Sequence, residues 1–190
     1  DRISHLDEET ILCIQDTTFC EYHSQRGTTG LGTHTHDYEH GFFLHPLLAT
    51  TQDGVPLGVL SAETWVRSDE EDAEPVPWEK ESERWIAMLE RTDALAERMP
   101  KKRFVVVGDR ENDFYEYFMH PKQHCDILVR SHHDRRLVTG EKLWESVRQE
   151  PLLGTYSVTV PKHGNQPERE LHLDMRAASV EINAPLPNSP

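Results

Sequence analysis

RFVVVGDREND, residues 103–113, contains the most informative pattern in this chain. A basic residue leads into four apolar residues, and Gly-Asp follows, which is typical of a short buried strand that ends at Asp109. ILCIQD, residues 11–16, has a similar pattern and ends at Asp16. We therefore predict two buried strands, each of which carries an aspartate to the edge of a sheet.

Other apolar runs predict the remaining strands of a mixed sheet. FFLHPLLATT, residues 42–51, and PLGVLSAETWV, residues 56–66, are separated by QDGV. An Asp-Gly between two such runs predicts an antiparallel hairpin. CDILVRS, residues 125–131, predicts a further strand. Residues 23–41 contain glycines, threonines and histidines without periodicity, so we predict a long loop there.

Helical spacing is found in the segments that join the later strands. Trp85, Met88 and Leu89 lie on one face of residues 80–99, which predicts a helix that ends near Pro100. ENDFYEYFMH, residues 111–120, predicts a second helix. The predicted order is strand, strand, strand, helix, strand, helix, strand.

The chain length restricts the number of domains. A chain of 190 residues is long enough for one core of ordinary size with a smaller appendage. We predict a main domain over residues 1–131. Residues 132–190 contain polar turns, a short helix near EKLWESVRQE and two strands, GTYSVTV and RELHLDM, so we predict an added β-rich piece.

Composition restricts the function classes. No apolar run approaches the ~20 residues that a membrane-spanning helix needs, and no signal peptide is evident, so we expect a cytoplasmic protein without a membrane partner. The three cysteines, Cys13, Cys20 and Cys125, lack disulfide or metal-site spacing. The net charge of −14 argues against nucleic-acid binding over the whole surface. The acids concentrate in residues 68–83, which leaves a local basic face possible.

Asp16 and Asp109 are the strongest candidates for a functional site. If their strands are parallel neighbours, the two carboxylates converge at one edge of the sheet. Close carboxylates share a proton or bind a cation, and a hard divalent ion is favoured here because no base is nearby. Two Mg²⁺ ions support in-line displacement at phosphorus. The alternative is that each aspartate caps the turn or helix that follows it.

Several motifs resemble a known family. CIQDTT, VVVGDREND and LVRSHHDRRL are similar to motifs of the DDE transposases of the bacterial insertion-sequence group that includes the enzyme of transposon five. LHPLLATTQDGVPLGVLSAETWVR, KESERW and QEPLLGTYSVTVP extend the similarity over nearly the whole chain. The resemblance implies an α/β fold, a ribonuclease H-like mixed sheet with flanking helices, in residues 1–131. It implies part of a β-rich insertion in residues 132–190.

The resemblance also implies a reaction. Asp16 and Asp109 match the first and second catalytic acids of the family, and both would bind Mg²⁺ or Mn²⁺. Water would attack a phosphodiester at the transposon end, and the freed 3′-OH would attack target DNA. The implied partners are double-stranded DNA, at transposon ends and target, and a second copy in a homodimer of the full-length protein, which would be associated with the nucleoid.

The family pattern has a third acid, a glutamate on a helix with a Tyr, Arg, Glu, Lys pattern that follows the insertion. We expect this glutamate to lie beyond Pro190, because Glu141 and Glu145 are expected on the short helix that precedes the two strands of the insertion. The chain is therefore predicted to be catalytically incomplete. With Mg²⁺ it should not cut transposon-end DNA, and robust specific cleavage would contradict this prediction.

Four arginines are candidate DNA contacts. Arg110 follows the second acid directly, and Arg130 ends a strand that is expected to open on the same edge. Arg135 and Arg136 lie in the next loop, where a solvated surface is the alternative.

Three alternatives stay open. VVVGDREND also resembles the Mg²⁺-binding motif of haloacid-dehalogenase-type phosphatases, but these enzymes need an aspartate two positions after the nucleophile, where Thr18 stands. A non-catalytic DNA-binding relic is the second alternative. A cluster of possible zinc ligands is the third, although its spacing favours a polar loop. The cluster comprises His34, His36, Asp37 and His40.

Overall fold

The structure is a computed structural model that describes residues 3–22, 27–33, 40–66 and 78–184, without the side chains of residue 33 and residues 78–81. The chain divides into two compact units, Asp1–His132 and His133–Pro190. The boundary between the units follows His132, one residue after the boundary that we predicted. The assignment of the two parts as a catalytic core and an insertion stays a prediction.

The first unit contains a seven-stranded mixed sheet. Its strands are β1 Thr10–Gln15, β2 Thr18–Glu21, β3 Gly32–Thr33, β4 His40–Thr50, β5 Pro56–Trp65, β6 Arg103–Gly108 and β7 Cys125–Val129. Its helices are α1 Trp78–Glu97 and α2 Tyr115–Met119, with 3₁₀ turns at Ile3–His5 and Arg110–Asn112. The predicted order of strands and helices is confirmed, and β2 and β3 are additions to it.

The sheet has an antiparallel part and a parallel part. β4 pairs antiparallel with β5 on one side and with β1 and β2 on the other. β1 then pairs in parallel with β6, and β6 pairs in parallel with β7. The antiparallel pairing of β4 with β5 confirms the hairpin prediction. The connection between them contains Gly54 with a φ of 81°, a conformation that glycine adopts without strain.

β1 and β2 pair one after the other with the same side of β4. The last pair of β1 and the first pair of β2 with β4 belong to a single register, which sets Asp16 opposite Pro46. Proline has no N–H to donate to a neighbouring strand. This missing donor explains why the strand is interrupted between Gln15 and Thr18.

α1 covers one face of the sheet. Trp85, Met88 and Leu89 are buried on this helix, as its apolar spacing predicted. Burial of a large apolar side chain contributes about 1.5–3 kcal/mol, so each of these three residues stabilises the packing of α1 on the sheet. The strand residues of the same core cluster are Ile11, Cys13, Leu47, Ala49, Phe104 and Val106. The opposite face is more open, with Ile14 36% and Leu128 58% exposed.

α2 is shorter than the predicted helix. Phe114 has extended backbone angles, and the helix proper begins only at Tyr115. The carboxylate of Asp113 accepts the N–H of His132 at 2.5 Å, so the chain here is held to the segment after β7. This long-range contact separates the 3₁₀ turn from α2.

The second unit contains α3 Leu143–Gln149 and an antiparallel hairpin of β8 Gly154–Val160 and β9 Arg169–Met175. The helix and both strands were predicted. Glu141 precedes α3 and does not lie on it, contrary to the expectation for this residue, because the helix begins after Lys142. Within the described ranges, every helix is too short or too polar to cross a lipid bilayer.

Candidate functional site

Asp16 and Asp109 occupy matching positions on two adjacent parallel strands. β1 and β6 pair with one constant offset up to Ile14 and Val107. The same offset, continued by two residues, matches Asp16 with Asp109. Because adjacent strands lie about 5 Å apart, the two backbones are neighbours at this edge of the sheet.

Both acids belong to the face of the sheet that α1 does not cover. Gln15 and Gly108, which precede the acids, are buried on the α1 side. Side chains alternate along a strand, so Asp16 and Asp109 continue on the other face. Asp16 is exposed and Asp109 is half-buried. A ligand in solvent therefore has access to this edge.

Each carboxylate makes one local hydrogen bond. Asp16 Oδ1 accepts the N–H of Thr17 at 2.7 Å. Asp109 Oδ1 accepts the N–H of Glu111 at 2.8 Å, at the start of a 3₁₀ turn. In the described part of the chain, neither Oδ2 atom has a hydrogen-bond partner. The capping alternative thus accounts for one oxygen of each carboxylate, and the second oxygen is available to a cation.

β7 brings Arg130 to the same edge of the sheet. Its N–H donates to the carbonyl of Gly108 at 3.2 Å, one step past the last pair of β6 and β7. Arg130 therefore lies in the same row as Asp109. The side chains of Arg130 and Arg110 are both exposed. Guanidinium groups at this edge are suited to hold a phosphate oxygen of a substrate.

Arg135 and Arg136 lie in the second unit. The Arg136 guanidinium donates to the carbonyl of Gly140 at 3.1 Å, and its own carbonyl accepts the N–H of Asn183 at 3.0 Å. The carbonyl of Arg135 accepts the N–H of Leu143 at 2.9 Å. Both residues thus make hydrogen bonds within the second unit, and their contact with DNA stays a prediction.

A hydrogen-bonded chain of polar side chains lies on the α1 side of the acids, and all of its members except the half-buried Thr17 are buried. Thr17 Oγ1 lies 2.8 Å from His45 Nδ1, and His45 Nε2 lies 3.2 Å from Gln15 Oε1. Gln15 Nε2 donates to the hydroxyl of Tyr117 at 3.0 Å. None of these four residues was predicted from the sequence to belong to the site. The available signal was a glutamine and a histidine inside otherwise apolar strands.

Burial sets the protonation of this polar chain. It lowers the pKa of His45 to about 4, so the imidazole is neutral at pH 7. The His45 tautomer with its proton on Nε2 fits both of its hydrogen bonds, since Nε2 then donates to Gln15 Oε1 and Nδ1 accepts from the Thr17 hydroxyl. Burial also raises the pKa of Tyr117 to about 12, which keeps the phenol protonated. The edge of the His45 ring meets Trp85, with 4.7 Å between the centroids.

Position 108, directly before Asp109, has room only for glycine. A Cβ atom at this position would overlap the side chain of Asn112, which is fully buried. A larger residue would displace the 3₁₀ turn that holds Asp109. The glycine before the acid is therefore a structural requirement of the edge.

The cysteines are free thiols. Burial raises the pKa of Cys13 and of Cys125 to about 12, so both thiols are poor nucleophiles at neutral pH. Cys13 is a core residue, as expected for a cysteine inside an apolar run.

Only part of the possible zinc cluster belongs to the described residues. His34, His36 and Asp37 of the possible zinc cluster lie outside them, and His40 begins β4. In residues 3–22, 27–33, 40–66 and 78–184, no group of three or more His, Cys, Asp or Glu residues is placed to hold a metal ion. No protein-family model matches the chain.

Proposed function

We propose that this chain carries two of the catalytic acids of a DDE DNA transposase, and that Asp16 and Asp109 hold divalent metal ions for phosphodiester cleavage. The register of β1 and β6 carries the proposal, because its continuation by two residues beyond the last pair, Ile14 and Val107, matches two aspartates that are distant in sequence. The segments around them, CIQDTT and VVVGDREND, resemble the family at these positions.

The order of the strands supports a ribonuclease H-like fold within this proposal. The family resemblance leads us to expect an antiparallel meander of three strands that continues into parallel strands. Across the sheet, β5, β4 and β1 are antiparallel neighbours, and β6 and β7 follow in parallel. The antiparallel pairing of β1 with β4 is also unfavourable for the phosphatase alternative, which has a parallel sheet.

The two carboxylates fit Mg²⁺ or Mn²⁺. Mg²⁺ in proteins is commonly bound by one or two carboxylates, together with water and phosphate oxygens of the substrate. The Oδ2 atoms of Asp16 and Asp109 would supply the protein ligands. When bound, the metal would activate the attacking oxygen and neutralise charge on the phosphate. Arg130, in the same row, would contact the DNA backbone.

The proposal assigns no third acid within the described residues. Glu141 and Glu145 lie in the second unit, ahead of the β8–β9 hairpin. Metal binding is therefore the property to measure on this chain, because it depends on the two acids that are in place.

A Mn²⁺ titration followed by electron paramagnetic resonance tests the proposal. We expect saturable binding that Asp16→Asn and Asp109→Asn each weaken at least about 10-fold, because each removes a charged ligand. Asp126→Asn is the matched control, since this exposed carboxylate on β7 pairs with Arg103 at 2.8 Å. Binding that is equal in all four proteins, or absent from the wild type, would overturn the proposal.

A further inference from the structure

His45 contacts both residues that flank Asp16. Its Nδ1 lies 2.8 Å from the Thr17 hydroxyl, and its Nε2 lies 3.2 Å from Gln15 Oε1. The imidazole comes from the neighbouring strand β4 and is fully buried. The His45 ring therefore holds the residues on both sides of Asp16. It does so from the face of the sheet opposite to the Asp16 carboxylate.

We infer that His45 is a positioning residue for Asp16, which it keeps beside Asp109 through Gln15 and Thr17. The inference rests on the proposed function for its consequence in metal binding. The positioning itself is a property of the protein without metal. It is therefore open to a separate measurement.

The backbone at Asp16 has little other support. β1 ends at Gln15 and β2 begins at Thr18, so Asp16 lies in the break between them. Pro46, opposite Asp16 in the register, has no N–H to offer. β6 ends at Gly108, so the parallel ladder has also stopped. Side-chain contacts to His45 replace the missing ladder at this point.

Thr17 transmits the position of His45 to the carboxylate. Its hydroxyl contacts the imidazole, and its backbone N–H donates to Asp16 Oδ1 at 2.7 Å. A shift of Thr17 would therefore rotate the Asp16 carboxylate. Its free oxygen would then move relative to Asp109.

Gln15 extends the same polar chain towards the second acid. Its Nε2 donates at 3.0 Å to the hydroxyl of Tyr117, which lies on α2. α2 follows the 3₁₀ turn that Asp109 caps. The polar chain thus joins the segment around Asp16 to the segment that follows Asp109. Contacts that orient metal ligands in this way commonly change metal affinity by 10- to 100-fold.

Three variants and one control test the inference. Thr17→Val removes the hydroxyl at nearly constant volume, Thr17→Ser restores it, and His45→Gln removes the imidazole. Thr92→Val is the matched control, because this fully buried threonine donates to the Met88 carbonyl at 2.9 Å within α1. Each protein is measured for Mn²⁺ affinity and, without metal, for amide hydrogen exchange at residue 17.

We expect Thr17→Val and His45→Gln to weaken Mn²⁺ binding about 10-fold and to speed exchange of the residue-17 amide several-fold. Thr17→Ser should restore both values, and Thr92→Val should leave both unchanged even where it lowers stability. If the Thr17→Val protein keeps wild-type exchange at residue 17, the inference is wrong. If the wild type shows no Asp16-dependent Mn²⁺ binding, the proposed function fails, and the exchange data alone decide the positioning role.

Discussion

At the scale of single residues, His45 links packing to protonation. The ring is inaccessible to solvent, and burial lowers its pKa from 6.5 to about 4. In the unfolded chain the same imidazole takes up a proton near pH 6.5. Between these two values the unfolded state binds more protons than the folded state, so stability falls as the pH falls.

The pH dependence of unfolding measures this effect. Stability from neutral His45 is fully present above pH 6.5 and is lost as the pH falls towards 4. We expect the free energy of unfolding of the wild type to decrease by about 2 kcal/mol more than that of His45→Gln over this range. Urea titrations at a series of pH values provide the measurement. Parallel curves for the two proteins would contradict the lowered pKa.

Arg130 tests the contact of the candidate site with DNA. An arginine that neutralises one phosphate contributes about 1 to the slope of log K against log salt concentration. We expect Arg130→Gln to weaken binding to a double-stranded oligonucleotide and to reduce this slope by about 1. Arg103→Gln is the control, because Arg103 begins β6 and lies at the opposite edge of the sheet. Equal effects of both substitutions would argue against a DNA contact at this edge.

At the scale of elements, the β4–β5 hairpin depends on its turn. The N–H of Gly54 donates to the Thr51 carbonyl at 3.1 Å, and the N–H of Thr51 donates to the Val55 carbonyl at 3.0 Å. Gly54 itself has a φ of 81°, in the left-handed region. Residues with a Cβ atom adopt this region at a cost, although asparagine does so more readily than alanine.

Substitution of Gly54 should separate backbone strain from packing. No atom lies within 4 Å of a Cβ built at this position, so the effect comes from the backbone alone. We expect Gly54→Ala to lower the free energy of unfolding by about 1 kcal/mol and Gly54→Asn to lower it less. Thermal and urea denaturation provide the measurement. A larger loss for asparagine than for alanine would contradict the assigned turn.

The elements that the sequence predicted are those with local signals. β1, β6 and the β4–β5 hairpin have uninterrupted apolar runs or an Asp-Gly turn, and the structure contains all of them. β2 was missed because its four residues, TFCE, form a strand only through pairing with β4. α2 was predicted too long because Asp113 contacts His132, which is distant in sequence.

The residues of the candidate site also divide into those that the sequence identifies and those that it does not. Asp16 and Asp109 could be identified because each follows an apolar run and carries an ionisable group. Gln15 and His45 could not be assigned a role, because their contacts with each other and with Tyr117 join positions 30 and 102 residues apart. A polar residue within an apolar strand signals an interaction, but only the folded structure identifies its partner.

At the scale of the whole molecule, the β8–β9 hairpin exposes an apolar face. Its register puts apolar residues on one face and polar residues on the other. Tyr156, Leu173 and Met175 on the apolar face are 60%, 47% and 48% exposed. A two-stranded sheet is marginally stable by itself, and exposed apolar patches promote association.

We expect this face to cause concentration-dependent self-association of the purified chain. Leu173→Lys should reduce the association, because it introduces a charge in the middle of the apolar face. Ser157→Lys adds the same charge on the polar face of the hairpin and should have less effect. Light scattering over a range of protein concentrations provides the measurement. Equal effects of the two substitutions would show that net charge, and not this face, controls association.

The parallel pairing of β1 with β6 also has a kinetic consequence. The β4–β5 hairpin joins nearby residues and closes a short loop, whereas the β1–β6 ladder joins strands that are far apart in the chain. Long-range pairing costs more loop-closure entropy and forms later in folding. Asp16 and Asp109 would then meet only when folding is nearly complete. A bound divalent ion should therefore slow unfolding while it leaves the rate of folding unchanged.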